Sequence, residues 1–172
     1  VFAFKDLKDA KGKGLSLGIR GPVSIQSAFS VCPVMIDSMQ ITKSVNGAGK
    51  GKASDTMGMK HKVTSAMYVA KGSINHQLAQ KTGFTDEDAE KIKEALRTLF
   101  VNDASAARPD GSMEVCKVYW WRHNCPMGQY SSAKVHRSLK ISANTELPKC
   151  FEDYSITVEA LEGLEPEVIE GV

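Results

Sequence analysis

The sequence predicts an α+β fold, and three observations carry that expectation. Short runs of alternating apolar and polar residues recur along the chain. One longer segment, Thr85–Asn102, repeats its apolar residues every three or four positions instead. The runs and the helix do not alternate regularly. That argues against a doubly wound nucleotide-binding sheet and for a sheet covered on one face by a helix. The 172 residues suffice for a core of their own, so a single domain over 1–172 is expected.

The elements follow in order. "VFAF" (Val1–Phe4) starts without methionine and reads as a strand entered midway, so the chain is expected to be a piece of something longer. "KDLKDAKGKG" (Lys5–Gly14) reads as a polar, lysine-rich loop. Alternation from Leu15 to Ile19 and from Val23 to Val31 is broken by Gly21-Pro22, giving two strands or one kinked strand. Met35–Thr42 and Val63–Ile74 are further strands. Thr85 stands as N-cap of the helix, with Asp86, Glu87 and Asp88 in the first turn, where the helix dipole favours acids. Ala89, Ile92, Leu96, Leu99 and Phe100 form its apolar face. Ala107–Ser112 is a turn, Met113–His123 a strand, and Tyr154–Leu161 a last strand. Ala133–Ser142, "AKVHRSLKIS", fits helix or strand equally.

Composition excludes several classes. Apolar residues make up 42% and charged residues 24%, ordinary for a globular protein. No run reaches the length of a membrane helix, and no secretory leader is visible. Cys32, Cys116, Cys125 and Cys150 form no C-x-x-C pair, so they read as reduced thiols of a cytoplasmic protein, with neither zinc nor a disulfide framework. Charge is uneven: residues 1–62 carry ten Lys/Arg against four Asp/Glu, while residues 146–172 carry one lysine against eight acids. Such a polar chain can bind a polyanion with one face. Its acidic tail reads as a solvated terminus or as a contact for a neighbour's basic face.

Asn46–Lys62, "NGAGKGKASDTMGMKHK", joins glycines to lysines, a chemistry suited to phosphate. A nucleotide loop needs G-x-x-x-x-G-K-[ST] between a buried strand and a helix. Counted from Gly47, the second glycine would stand where Lys52 is, and no helix-periodic run follows. Strand-like runs flank the stretch, so it reads as the tip of a long cationic hairpin. Such a hairpin can follow a nucleic-acid backbone while Met57 or Met59 wedges between bases. A solvated loop without a task is the plain competing reading. Tyr119, Trp120 and Trp121 share one strand, where a ring can stack a base or simply fill the core and cover the helix. His61, His76, His123 and His136 show no metal spacing, and Asp37, Asp55, Asp103 and Asp110 show no pairing suited to metal-dependent cleavage.

Five blocks in this order carry a resemblance: "IRGPVSIQSAFSVCPV" (Ile19–Val34), "DTMGMKHKV" (Asp55–Val63), "YVAKGSI" (Tyr68–Ile74), "KTGFTDEDAEKIKEAL" (Lys81–Leu96) and "LFVNDASAARPDG" (Leu99–Gly111). Together they resemble the backbone subunit of type I CRISPR Cascade surveillance complexes, most closely the type I-C form, within the RAMP superfamily. The resemblance spans about residues 15–125 and implies an RRM-like (ferredoxin-like) palm with a protruding thumb hairpin at about 43–62. It implies copies stacked head to tail along a guide RNA (crRNA), each thumb flipping one nucleotide and leaving the bases between to pair with target DNA. Other Cascade subunits are implied partners, and no cofactor is expected. Arg20 and Gly21 fall in the matched "RGPV" block, Thr56, Met57, Gly58, Lys60 and His61 in the thumb block, and Lys43 at the thumb's ascending base. Lys50 and Lys52 stand near the tip, and Arg108 falls in the "SAAR" block, as RNA contact or structural salt bridge. The sequence departs from relatives at Ser30-Val31-Cys32-Pro33, where an aspartate is usual before the proline, and the relatives' N-terminal portion has no counterpart. The expected activity is RNA binding without catalysis. The rivals are a RAMP-type endoribonuclease and a protein-interaction module built on the acidic tail.

Overall fold

The computed structural model describes residues 2–8, 14–42 and 57–172, with residues 2–8 and 14–17 as backbone. The expected contacts Lys43, Lys50, Lys52 and Thr56 lie outside the described residues. The described chain mixes helices with small antiparallel sheets, an α+β composition. It clusters into two units, one of residues 1–26, 71–138 and 160–172, the other of residues 27–70 and 139–159.

In the first unit, β1 (Phe2–Lys8) and β2 (Gly14–Leu17) pair antiparallel with an irregularity between Phe4 and Lys8. Strand therefore extends into the segment read as a loop from Lys5, because pairing with β2 overrides its polar composition. β3 (Val23–Ile25) pairs with β8 (Gly72–Ile74). A Cβ on Gly72 would stand 2.9 Å from the Ser24 carbonyl oxygen, so a side chain there would push the strands apart.

Two helices follow. α1 (His76–Thr82) was not anticipated, although Asn75 caps it by accepting from the Leu78 N–H at 3.0 Å and Gly83 ends it at φ 71°. α2 (Asp86–Arg97) begins as expected at Thr85. Its hydroxyl accepts from the Asp88 N–H, and the Asp88 carboxylate accepts from the Thr85 N–H at 2.9 Å, a capping box. The helix stops at Arg97, five residues before the expected Asn102. The chain turns there, and Asn102 takes φ 59°. Leu99, expected on the apolar face, is therefore exposed.

α2 packs on β9 (Lys117–Trp121), which is shorter than the expected Met113–His123. β9 pairs with β12 (Pro166–Glu170), a strand inside the acidic tail that the sequence reading left out. α3 (Ser132–Ser138) closes this unit. Among the described residues only Val135, Ser138 and Leu164 are buried, all three here.

In the second unit, β4 (Phe29–Ser30) pairs with β7 (Tyr68–Val69), and β10 (Leu139–Ala143) pairs with β11 (Tyr154–Val158) after a short 3-10 turn at Phe151–Asp153. The ambiguous Ala133–Ser142 is thus helix first and strand second. Its longest ladder joins β5 (Ile36–Thr42) to β6 (Met57–Val63). The strand expected from Val63 to Ile74 is instead the end of β6 followed by two short strands, β7 and β8. The chain bends at Thr64-Ser65 and changes partner at each step.

Candidate nucleic-acid interface

β5 and β6 form a two-stranded ribbon whose register runs from Ile36↔Val63 to Thr42↔Met57. Alternation sends Ser38, Gln40, Thr42, Met57, Met59 and His61 to one face. Asp37, Met39, Ile41, Gly58, Lys60 and Lys62 take the other. Every residue of both strands is exposed, so neither face is covered. A ribbon in a core would bury one face. This one exposes Met57 at 65% and Met59 at 56%.

Small polar contacts hold the ribbon's surface. Ser38 Oγ lies 2.8 Å from His61 Nδ1 across the strands. The Gln40 amide donates to the Met57 sulfur at 2.9 Å. Lys62 Nζ stands 3.5 Å from Asp37, an exposed pair of small net worth. Gly58 sits opposite Ile41, whose side chain lies 3.6 Å from where a Cβ would be. The expected set is thus divided: Met57 and His61 present an apolar and imidazole face, and Gly58 and Lys60 a basic one. Lys62 shares the face of Lys60 and was not among the expected contacts. The signal was available, since a spacing of two on a strand keeps side chains on one side.

Arg20 and Gly21 belong to the first unit and are exposed, just before β3. Arg108 is committed locally. Its Nε and Nη2 donate to the two Asp103 carboxylate oxygens at 2.9 and 3.2 Å, a bidentate fork. The Ser105 hydroxyl accepts from the Arg108 N–H at 3.0 Å, and the Ser105 N–H donates to the Arg108 carbonyl at 2.7 Å. The "D-A-S-A-A-R" block therefore closes on itself. Asp103 holds the guanidinium charge more firmly, raising its pKa above the ordinary arginine value.

Several other charged side chains pair within their own unit. Lys93 Nζ donates to Glu167 at 2.6 Å, lies 2.9 Å from Glu90, and sits 5.2 Å from the Trp120 ring centre. Burial opposes its charge, but the bonds to Glu167 and Glu90 outweigh it and raise its pKa. Lys117 pairs with Glu170 at 2.7 Å and Arg122 with Asp86 at 2.9 Å. In the second unit Lys140 pairs with Glu159. The acidic tail is thus not simply solvated: Glu159, Glu167 and Glu170 meet cations of their own chain. Trp120 covers the helix side, while Tyr119 and Trp121 stack at 6.1 Å between ring centres on the other face.

Among the described residues there is no cluster of His, Cys, Asp or Glu side chains that could hold a metal ion. Cys150 is the reverse of an activated thiol, because Asp153 and Glu152 beside it raise its pKa. No described helix is long and apolar enough to cross a membrane.

Comparison with known proteins completes the picture. A search of the curated proteins finds no match to this chain. The profile of the family described as CRISPR-associated protein Cas7 matches residues 1–159, a span that takes in the β5–β6 ribbon, the Arg20-Gly21 segment and the Asp103–Arg108 block. The chain therefore belongs to the CRISPR-associated protein Cas7 family, the RNA-binding backbone subunits of type I CRISPR complexes.

Proposed function

We propose that this chain grips guide RNA with the β5–β6 ribbon as its thumb, in a complex of the type I-C kind. The observation that carries the reading is a ribbon exposed on both faces, apolar with imidazole on one and lysine-bearing on the other. Lys60 and Lys62 suit phosphate oxygens. Met57 and Met59, on the opposite face with His61, suit insertion beside unstacked bases. Arg20 and Gly21 line the RNA channel, and Lys43, Lys50, Lys52 and Thr56, outside the described residues, are further RNA contacts. Arg108 positions its own loop through Asp103 rather than reaching RNA. The helix-on-strand packing of α2 on β9, with β12 alongside, supports an RRM-like palm.

Copies stack head to tail along the RNA and present it to target DNA. A contact that repeats without closing yields a filament whose length the RNA sets. The protein performs no catalysis and needs no cofactor. The test is incubation of the purified protein with RNA, with and without Mg²⁺ or Mn²⁺, followed by gel analysis and anisotropy. Retained RNA of unchanged length is expected. Cleavage abolished by one Asp or His substitution would replace this reading with the endoribonuclease.

A further inference from the structure

We propose that Met57, Met59 and His61 form a binding site for copper(I) on one face of the β5–β6 ribbon. The site lies within the second unit and does not rest on the RNA reading. The ion is a bound ligand, and no catalytic step is assigned to it.

Counted over His, Cys, Asp and Glu, the described residues hold no metal-binding group. That count leaves out thioether sulfur, a soft donor that favours copper(I) over harder ions. The run "MGMKH" (Met57–His61) places two thioethers and an imidazole at alternate positions of β6. Alternate residues of a strand share a face and stand about 6.7 Å apart, a gap that flexible methionine side chains can close. The ladder sets their neighbours on that face: Thr42 opposite Met57, Gln40 opposite Met59 and Ser38 opposite His61. No residue of this set is a carboxylate, a lysine or an arginine, and Asp37, Lys60 and Lys62 take the other face. A hard divalent ion therefore finds no carboxylate beside these donors, and a soft ion meets no ammonium on its own side.

Two polar contacts orient the donors. Ser38 Oγ lies 2.8 Å from His61 Nδ1. With the ring proton on Nδ1, the ring donates to Ser38 and Nε2 presents its lone pair, the arrangement in which histidines bind metals. The Gln40 amide donates to the Met57 sulfur at 2.9 Å. A thioether sulfur has two lone pairs, so this bond positions the atom and leaves a pair for the ion. Met57, Met59 and His61 are all exposed, which gives the ion a path from solvent. Met127 provides an internal contrast. It is more exposed still, at 86%, but stands in a turn without the strand spacing that brings a second thioether and an imidazole to one face. Were exposure alone enough, Met127 would bind at least as well.

The test uses the full chain as C125S/C150S, because its exposed thiols would also take soft ions. Silver nitrate, a redox-inert stand-in for copper(I), is titrated in chloride-free buffer against protein with ¹³C-labelled methionine methyl groups. The Met57 and Met59 methyl signals should shift together with the His61 ring signals, ahead of Met127. Zinc sulfate at the same concentrations should leave the methyl signals in place. M57L/M59L keeps size and apolar character and should abolish the His61 response to silver. H61Q, read by the methyl signals, should weaken silver binding at least tenfold and covers the case in which the leucines disturb the ribbon. S38A removes the positioning hydroxyl and should weaken binding about tenfold, with circular dichroism unchanged. Copper(I) delivered from a colorimetric chelator should follow the same order of variants. Met127 shifting in step with Met57 and Met59, or silver affinity unchanged in both M57L/M59L and H61Q, would overturn the proposal. A zinc response equal to that with silver would overturn it as well.

Discussion

The β5–β6 ribbon and the α2–β9–β12 assembly carry similar kinds of residue and use them in opposite ways. In α2–β9–β12, a helix covers a strand pair, and Lys93, Lys117, Arg122 and Arg97 each meet a carboxylate. In the ribbon, strands of seven residues each leave both faces uncovered, with methionines in water. Two strands alone are marginally stable. The first region is therefore built to hold itself, and the proposed RNA grip falls on the second. That difference, more than net charge, is the ground for placing the proposed RNA contact on the ribbon.

The sharpest way to break the comparison is to reverse charge on the ribbon. K60E/K62E should lose about 3 kcal/mol of RNA binding, roughly a hundredfold, if each lysine makes one charge-assisted phosphate contact. The melting temperature should scarcely move, because exposed β6 charges support little. Equal RNA affinity would make the ribbon an idle loop. The reverse pattern is expected in α2–β9–β12. K93M keeps the aliphatic stem but leaves Glu167 and Glu90 without their cation, and should cost about 1–2 kcal/mol of stability by denaturant titration. RNA affinity should stay as it was.

Smaller effects sharpen the boundary. Thr85→Ala removes the cap and should cost about 1 kcal/mol, seen as a fall of a few degrees in Tm. The Thr85 N–H, then its hydroxyl, hold the Asp88 carboxyl below its ordinary pKa. A carboxylate depressed in the folded state stabilises above its unfolded pKa and loses that contribution as pH falls through the folded value. Acid should therefore loosen the start of α2, and Asp88→Asn should remove that part of the pH dependence. At the Asp103–Arg108 fork the expected RNA effect is smallest. D103A and R108A should destabilise alike, the double variant should be no worse than either, and RNA affinity should hold. Loss of RNA binding in R108A but not in D103A would return Arg108 to the interface.

What could be read in advance followed strength of pattern. α2 was legible because its cap, first-turn acids and apolar spacing agree. α1 carries a cap and a terminal glycine too, but its seven residues hold too little periodicity to stand out. β12 was hidden by its acids. "PEVIE" reads as a charged tail until Lys93 and Lys117 are seen opposite Glu167 and Glu170. For the candidate site, the two strands flanking the glycine- and lysine-rich stretch were legible, but the division of Met57 and His61 from Gly58 and Lys60 needed the strand register. The closure of Arg108 on Asp103 depends on a loop conformation that spacing alone does not give.

The central claim is that copies of this chain are ordered along RNA by the ribbon. Mass photometry with guides of increasing length tests it most directly. The account predicts a copy number that climbs in even steps with RNA length, and a K60E/K62E variant that fails to climb. A fixed oligomer at every length, or full assembly by the variant, would contradict it.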